Sequence, residues 1–480
     1  MAPARQKPLP PPEIVFLIIQ DATSLDLHSL AMTCRHFHQI CLPIYLLQHD
    51  IDISSDSLWL QPSSFGAPLR SMSLSWLFLG AEFKTVTCYF PDWNVLHTSP
   101  MEDMRIFKQF LLKLRCVSRL QLVFRFIFTP ELSSPSVINH LKWQTALSDL
   151  LSVAGTRSSS LSVRWDGQRD VHTGYNTAVR SPLLRLYLRS SKRLVTVESL
   201  DVSAPPSFSQ FSLSNLLTAP TVTSLVLSNY SEWTSGALQA IGLPNLRHFD
   251  VQGHKSHPII PLHAFLLRHP QLLSLTIDLC LRPSPKEEAL STKDMLPSLT
   301  TLAGDVASVL WLLNSDQALP NLTSITLSSR FIEDKFDRGT HFHHAVWVKL
   351  ASRQKTKLIS LTIRDAQIIT RLLGVEESGC VLDAPLPSIE SLTLESGSLD
   401  WLTPFNVGSP PDTIRVAAMR ALPGWLAKLF PNLKNLNIEH LKLPTTGALK
   451  DELLVAMKNV CPGVILSDTV GQERLSSSIR

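Results

Sequence analysis

The chain has 480 residues, seven of them cysteine, with 44% hydrophobic residues, 18% charged residues and a formal net charge of +4. That length exceeds the roughly 250–300 residues at which single hydrophobic cores stop growing, so a multidomain chain or a repeat array is required. The apolar content excludes wholesale disorder, and the near-neutral charge without a basic run disfavours nucleic acid as a partner.

In chain order, Met1 to Pro12 is Pro-rich and lacks the apolar centre of a secretory signal. The run Ile14 to Ile19 is far shorter than the ~20 residues that cross a bilayer. The prolines suit a helix start, where the first N–H groups lack partners anyway. A second helix is predicted from Ser24 as N-cap. Leu27, Leu30, Cys34, Phe37 and Cys41 recur on its apolar face at steps of three and four, and Pro43 is expected to end it. Residues 9–50 therefore read as two or three short helices. About 40 residues are too few to hide all these apolar side chains, so some must meet a partner or the rest of the chain.

The run Leu9-Pro10-Pro11-Pro12-Glu13-Ile14, followed by Asp26-Leu27-x-x-Leu30, Cys34-Arg35-x-Phe37-x-x-Ile40 and Pro43-x-Tyr45, resembles an F-box. It departs from that pattern in two places: Pro10 stands in the slot of the opening Leu, and Tyr45 stands where a Trp is usual. The resemblance implies a three-helix module that docks on a Skp-type adaptor and through it on a cullin. It places Pro11, Glu13, Ile14, Leu17, Leu25 and Leu27 at or near that interface. The alternative is a helix pair that only caps the following repeats, although a cap should carry a polar outer face.

Beyond residue 195 a phrase recurs: apolar, Pro, any, apolar, two polar, apolar, any, apolar. It begins at Leu243, His269, Leu296, Leu319, Leu386 and Phe430, with a weaker copy at Ala219 and a shortened one at Cys461. Its central anchors are Leu200, Leu225, Phe249, Leu275, Leu302, Ile325, Leu361, Leu392 and Leu436. The first five steps between them are 25, 24, 26, 27 and 23 residues, within the ~20–29 of leucine-rich repeats. The last three, 36, 31 and 44, imply inserted loops or a missed unit, with Thr413 to Val416 as a candidate. Period-two alternation predicts short strands. Helices are expected at Leu262 to Arg268, Val306 to Leu313, His344 to Ala351, Gly424 to Phe430 and Leu449 to Val460. Proline is expected at the first strand position, where no ladder hydrogen bond is lost. Fainter copies at Leu69 to Leu74, Val117 to Leu122 and Leu161 to Val163 predict an irregular start near residue 69.

The array resembles the leucine-rich repeats that follow many F-boxes, with the usual Asn or Cys after the third Leu mostly missing. The expected architecture is α/β: an F-box, then an irregular horseshoe solenoid with parallel strands on the concave side. The expected boundaries are 1–8 disordered, 9–50 F-box, 51–195 irregular early repeats, 196–466 solenoid and 467–480 flexible tail. Residues between the leucines point outward, and Asp250, Asp278, Asp305, Arg364, Glu395 and Glu439 are the candidate target-binding set. A mildly acidic surface suits a protein segment bearing Lys or Arg; equally, such acids keep a surface soluble.

Other signals are weak. His341-x-His343-His344 lacks the convergent ligands of a metal site. Cys34 and His36 would diverge on a helix, and Cys34 is expected in the core. The tryptophans are expected to fill gaps between stacked units. The cysteines are sparse and lack a Cys-x-x-Cys pair, which suits a reducing cytoplasmic or nuclear compartment. The expectation is a non-enzymatic substrate-recognition subunit of an SCF-type ubiquitin ligase, with no cofactor, metal, nucleic acid or membrane. The alternative is a protein-interaction scaffold unconnected with ubiquitin.

Overall fold

A computed structural model gives the architecture. It describes residues 11–93, 99–126, 137–167, 195–203, 216–228, 238, 241–257, 259–281, 295–314, 319–328, 339–352, 358–364, 385–395, 422–439, 455–461 and 463–467. The chain divides into two compact units, Met1–Thr223 and Ser224–Arg480.

The first unit opens with three helices, α1 (Pro12–Asp21), α2 (Ser24–Ala31) and α3 (Arg35–Leu47). Thr23, not Ser24, caps α2. Its hydroxyl accepts from the Asp26 N–H at 3.3 Å, and the Asp26 carboxylate accepts from the Thr23 N–H at 3.1 Å. That reciprocal box outcompetes a lone Ser cap because two orphan donors are satisfied together. The apolar face expected to run from Leu27 to Cys41 is split between α2 and α3. Cys34 lies at the junction as the extended N-cap of α3 and is exposed. Pro43 lies inside α3 instead of ending it. The helix stops in a left-handed turn at Asp50, φ 58°. There the Ile51 N–H reaches the Leu46 carbonyl at 2.9 Å and the Asp50 N–H reaches Leu47 at 3.0 Å, the Schellman pattern that satisfies terminal carbonyls.

Five parallel strands follow in chain order: β1 (Ser57–Leu60), β2 (Glu82–Trp93), β3 (Cys116–Phe126), β4 (Ser158–Gly167) and β5 (Ser199–Ser203). The array thus starts at Ser57, earlier than expected. Leu69 to Leu74 falls in a helix, α4 (Ala67–Leu74), where Leu69 and Met72, three apart, are buried and Leu74 is exposed. Two long helices, α5 (Ser99–Lys113) and α6 (Val137–Arg157), connect β2 to β3 and β3 to β4. Inward rungs align in register. Leu58, Val86, Leu120, Leu161 and Leu200 form one row, and Phe90, Phe124 and Trp165 another. Phe90 stacks on Phe124 at 4.6 Å, and Phe107 meets Phe90 edge-on at 5.8 Å. Burying each such side chain contributes roughly 1.5–3 kcal/mol.

The helical module is tied to this sheet layer by His38. Its Nδ1 lies 2.9 Å from the Ala31 carbonyl, its Nε2 lies 2.7 Å from the Ser75 hydroxyl, and its ring stacks on Trp76 at 6.2 Å. A carbonyl only accepts, so Nδ1 carries the proton; a neutral ring then accepts from Ser75. Lys113 Nζ donates to the Ser75 carbonyl at 2.7 Å.

Among the described residues the second unit holds nine parallel strands, again in chain order. They are β6 (Ser224–Ser228), β7 (His248–His257), β8 (Ser274–Leu281), β9 (Thr301–Asp305), β10 (Ser324–Ser328), β11 (Ser360–Ile363), β12 (Ser391–Glu395), β13 (Asn435–Glu439) and β14 (Gly463–Ser467). Among the described residues, helices α7 (Ile259–Leu267), α8 (Val306–Leu312), α9 (Gly339–Ser352), residues 422–429 and residues 455–460 lie between strands. The anchors Leu225, Phe249, Leu275, Leu302, Ile325, Leu361, Leu392 and Leu436 form one continuous row of register partners. Since β12 pairs directly with β13, no rung separates them. Thr413 to Val416, the candidate for a missed unit, lies outside the described residues.

The recurrent proline does not open the strand. It sits second in a β-turn that precedes it, closed by N–H to carbonyl bonds of 3.1–3.2 Å. These bonds run from Leu246 to Leu243, Leu272 to His269, Leu299 to Leu296, Leu322 to Leu319, Ile389 to Leu386 and Leu433 to Phe430. Proline's fixed φ pre-sets that second position. The amide side chain after the proline reaches back one rung. Gln271 donates to the Pro244 carbonyl at 2.7 Å, Asn321 to Pro297 at 2.8 Å and Asn432 to Pro387 at 2.9 Å. These bonds link three pairs of neighbouring turns at the strands' entry side.

Trp311 and Trp347 are buried, and Trp425 meets Phe430 edge-on at 5.7 Å; Trp233 and Trp401 lie outside the described residues. Cys41, Cys88 and Cys461 are buried, whereas Cys34 and Cys116 are exposed. The segments expected as a disordered start (1–8) and a flexible tail also fall outside the described residues, apart from Ser467.

Candidate interaction surfaces

On α1 and α2 the burial is one-sided. Val15, Leu27 and Ala31 are buried, as are Cys41, Leu42, Tyr45 and Leu46 of α3, against which α2 packs. Ile14, Phe16, Leu17, Ile18 and Leu25 remain exposed, Leu25 at 79%. Pro11 and Glu13 are exposed beside them. Leu27 is the correction: it is 0% exposed. A side chain enclosed by its own module has nothing left to offer a partner, so its part is to hold α2 against α3. A hollow of about 450 Å³ lies beside the patch, lined by Ile18, Asp21, Ala22, Asp26, Ser29, Leu30 and Thr33. Asp26 at its rim is held below the usual carboxylate range by its hydrogen bonds to Thr23.

In the second unit the candidate target-binding residues fall on two rows. Asp250 is half-buried on β7 and receives the Gln252 side-chain amide at 3.1 Å. The next row runs along the strand exits. Gln252 pairs with Asp278, Asp305 with Ser328, and Glu395 with Glu439. Arg364, one residue past the Ile363–Leu394 pair, falls between Ser328 and Glu395 in the same row. The side chains of Glu395 and Glu439 lie outside the described residues, so only their register is placed.

Asp305 needs a second correction. β9 passes straight into α8, and Asp305 is the N-cap. Its carboxylate accepts from the Ala307 N–H at 3.0 Å, the Ser308 N–H at 3.1 Å and the Ser308 hydroxyl. A carboxylate turned back on three local donors caps a helix instead of reading a ligand. Burial raises its pKa to about 6 against the lowering of those bonds, and Asp278 adds to the rise. The sequence signal was available: Asp305 directly precedes the apolar run Val306 to Leu312, a cap position.

A third surface, on the outward face of β1 to β5, has little signal in the sequence, because β2 lacks the leucine pattern of a repeat. Its inward residues Val86, Cys88 and Phe90 alternate with Thr87 and Tyr89, a period-two signal without the usual leucines. Outward on this sheet stand Trp59, Tyr89, Arg125, Arg164 and Asp201. Elsewhere in this unit a cavity of about 610 Å³ is lined by Gly66, Arg70, Glu102, Asp103, Arg105 and Lys142, among others. Asp103 is buried there with its pKa raised to about 6 by desolvation, with Glu102 adding to the rise and Arg70 opposing it. Among the described residues no three His, Cys, Asp or Glu side chains come together as metal ligands, and no helix is long and apolar enough to cross a membrane.

These features define an α/β protein of stacked parallel strand repeats, solenoid-like in each unit, with an N-terminal three-helix module. No family model matches the chain, and no curated protein matches it. Among solved structures, the crystal structure of the Rad7 and Elc1 complex in yeast is similar over 96% of this chain and 92% of that chain, at 13% sequence identity and a TM-score of 0.32.

Proposed function

We propose that this protein is a non-catalytic substrate-recognition subunit of an SCF-type, cullin-based ubiquitin ligase. The three-helix module at residues 9–50 acts as an F-box and docks on a Skp-type adaptor, while the outward strand faces hold a protein target for ubiquitination. Transfer to a target lysine follows from proximity, through effective concentration, and asks no chemistry of this chain.

The observation that carries this reading is the uncovered apolar cluster of Ile14, Phe16, Leu17, Ile18 and Leu25 on a module that already encloses Leu27. Ile14, Leu17 and Ile18 lie three and four residues apart on one side of α1, and an exposed apolar stripe of this kind supports a docking site. The cluster also speaks against a polar-faced cap. The target surface is assigned to the row containing Asp278, Arg364, Glu395 and Glu439, with Asp250 beside it.

The test is capture of a Skp-type adaptor by the full chain. Leu25→Asp and Leu17→Asp alter exposed positions and are expected to abolish capture while the circular dichroism spectrum stays unchanged. Leu27→Asp is a poor probe, because a charge at a fully enclosed position unfolds the module. Absence of capture by the wild-type chain would leave the scaffold alternative standing.

A further inference from the structure

The cavity of about 610 Å³ in the first unit is built by three helices. Arg70 stands on α4, Met101, Asp103 and Ile106 on the N-terminal half of α5, and Lys142 on α6. Asp103 is 9% exposed. Its carboxylate makes no hydrogen bond and no ion pair among the described residues. A charge taken out of water without a partner is costly, and a buried polar group normally finds one. Burial pushes Asp103 up to about 6, with Glu102 adding to the rise and Arg70 opposing it, so the group is mostly ionised at neutral pH. Arg70 and Lys142 are exposed, Ile106 is buried and Met101 half-buried. Glu102 and Arg105, also in the lining, form an ion pair with each other at 3.8 Å.

We propose that this cavity binds a free apolar α-amino acid, with its ammonium on the Asp103 carboxylate, its carboxylate on Arg70 and Lys142, and its side chain against Met101 and Ile106. The presence of both signs of charge in one cavity selects the ligand class. A lone cation would satisfy Asp103 but meet Arg70 and Lys142. A lone anion would suit those two but press against Asp103. A zwitterion answers both from one small frame. An ammonium carries donors only, and donors are what the Asp103 carboxylate lacks. The partly dry surroundings that make an unpaired Asp103 costly also strengthen the contact once it is paired. On the other side, the Arg70 guanidinium offers a fork that a carboxylate fills bidentately. The volume falls within the ~300–1,000 Å³ of small-molecule sites.

This inference does not rest on the adaptor reading, and Leu25→Asp should leave it untouched. The experiment is isothermal titration calorimetry of the full chain with leucine, leucine amide, N-acetylleucine and inorganic phosphate. The amide keeps the ammonium and resembles a chain N-terminus; the N-acetyl compound keeps the carboxylate and resembles a C-terminus. Leucine is expected to bind, and each of the others to bind about tenfold more weakly or not at all. Asp103→Asn, and Arg70→Gln combined with Lys142→Gln, are each expected to weaken leucine by about tenfold or more while circular dichroism stays unchanged. Thermal melts separate binding from a structural role. Asp103→Asn removes a desolvated charge, so its midpoint should rise, whereas the wild-type midpoint should rise when leucine is added and that of Asp103→Asn should not. A lower midpoint in Asp103→Asn would mean that Arg70 already pairs with the acid, and would overturn the assignment. So would the absence of heat with leucine up to about 10 mM, unchanged affinity in Asp103→Asn, or binding of the amide, the N-acetyl compound or phosphate as tight as that of leucine.

Discussion

At the scale of single residues, β9 is constrained where it meets α8. A Cβ on Gly304 would stand 2.3 Å from the Ile277 backbone carbonyl of the neighbouring strand, and backbone cannot yield as a flexible side chain does. Gly304→Ala is expected to cost about 1–3 kcal/mol in urea unfolding. Next to it, Asp305 has a folded pKa of about 6 against an ordinary 3.8. A carboxyl whose folded pKa is raised contributes stability below about pH 4 that is lost as pH rises through about 6. Holding it ionised at neutral pH costs on the order of 2–3 kcal/mol. Asn caps helices as well as Asp, so Asp305→Asn is expected to be more stable than wild type at pH 7 and level with it near pH 4. Equal differences at both pH values in parallel thermal melts would show that the carboxyl is not desolvated in solution. Position 103 offers an independent check in the other unit, since Asp103 shows the same direction of shift from burial.

At the scale of elements, the N-terminal helices separate folding from recognition. Leu27→Ala is expected to cost about 2–5 kcal/mol, as for any enclosed leucine. Leu25→Ala, at a position exposed by 79%, should change stability by less than about 0.5 kcal/mol and show its effect only in adaptor capture. A large stability loss in Leu25→Ala would mean that the patch is covered by the chain itself. Both leucines lie two apart on α2, and both fit the F-box pattern in sequence. Spacing alone could not say which one turned inward, because that depends on where α3 lies. The same limit explains Cys34. The three–four spacing from Leu27 to Cys41 was real, but a helix break at Met32 to Cys34 moved the thiol to a cap. Asp305 was missed for a related reason: a strand-exit acid and a helix cap share one position when no loop separates strand from helix.

At the scale of the whole molecule, each described strand pairs within its unit with its neighbours in chain order, so stability should be nearly a sum of rungs and interfaces. Leu361 sits on β11 between Ile325 and Leu392. Leu361→Ala is expected to destabilise by about 2–5 kcal/mol. Hydrogen exchange should then rise most in β10 to β12. A uniform rise across β6 to β14 would show that the nine strands open as one cooperative block. Among the described residues, the amide side chains of Gln271, Asn321 and Asn432 each tie one turn to the turn before the preceding strand.

What the sequence determined by itself was the set of rungs. Nine anchors from Leu200 to Leu436 were legible because period-two alternation and a recurring proline phrase are local properties, and every one of those anchors is a buried strand residue. The sequence also showed that the first fifty residues carry more apolar side chains than they can enclose. Tertiary structure alone decided which of those side chains stay bare, how rungs of unequal spacing keep one register, and that β1 and β2 belong to the array. It also decided that residues from five distant segments meet on one sheet face. The physical reason is that periodicity fixes which side of an element is apolar, whereas burial and encounter depend on what the neighbouring element brings against that side.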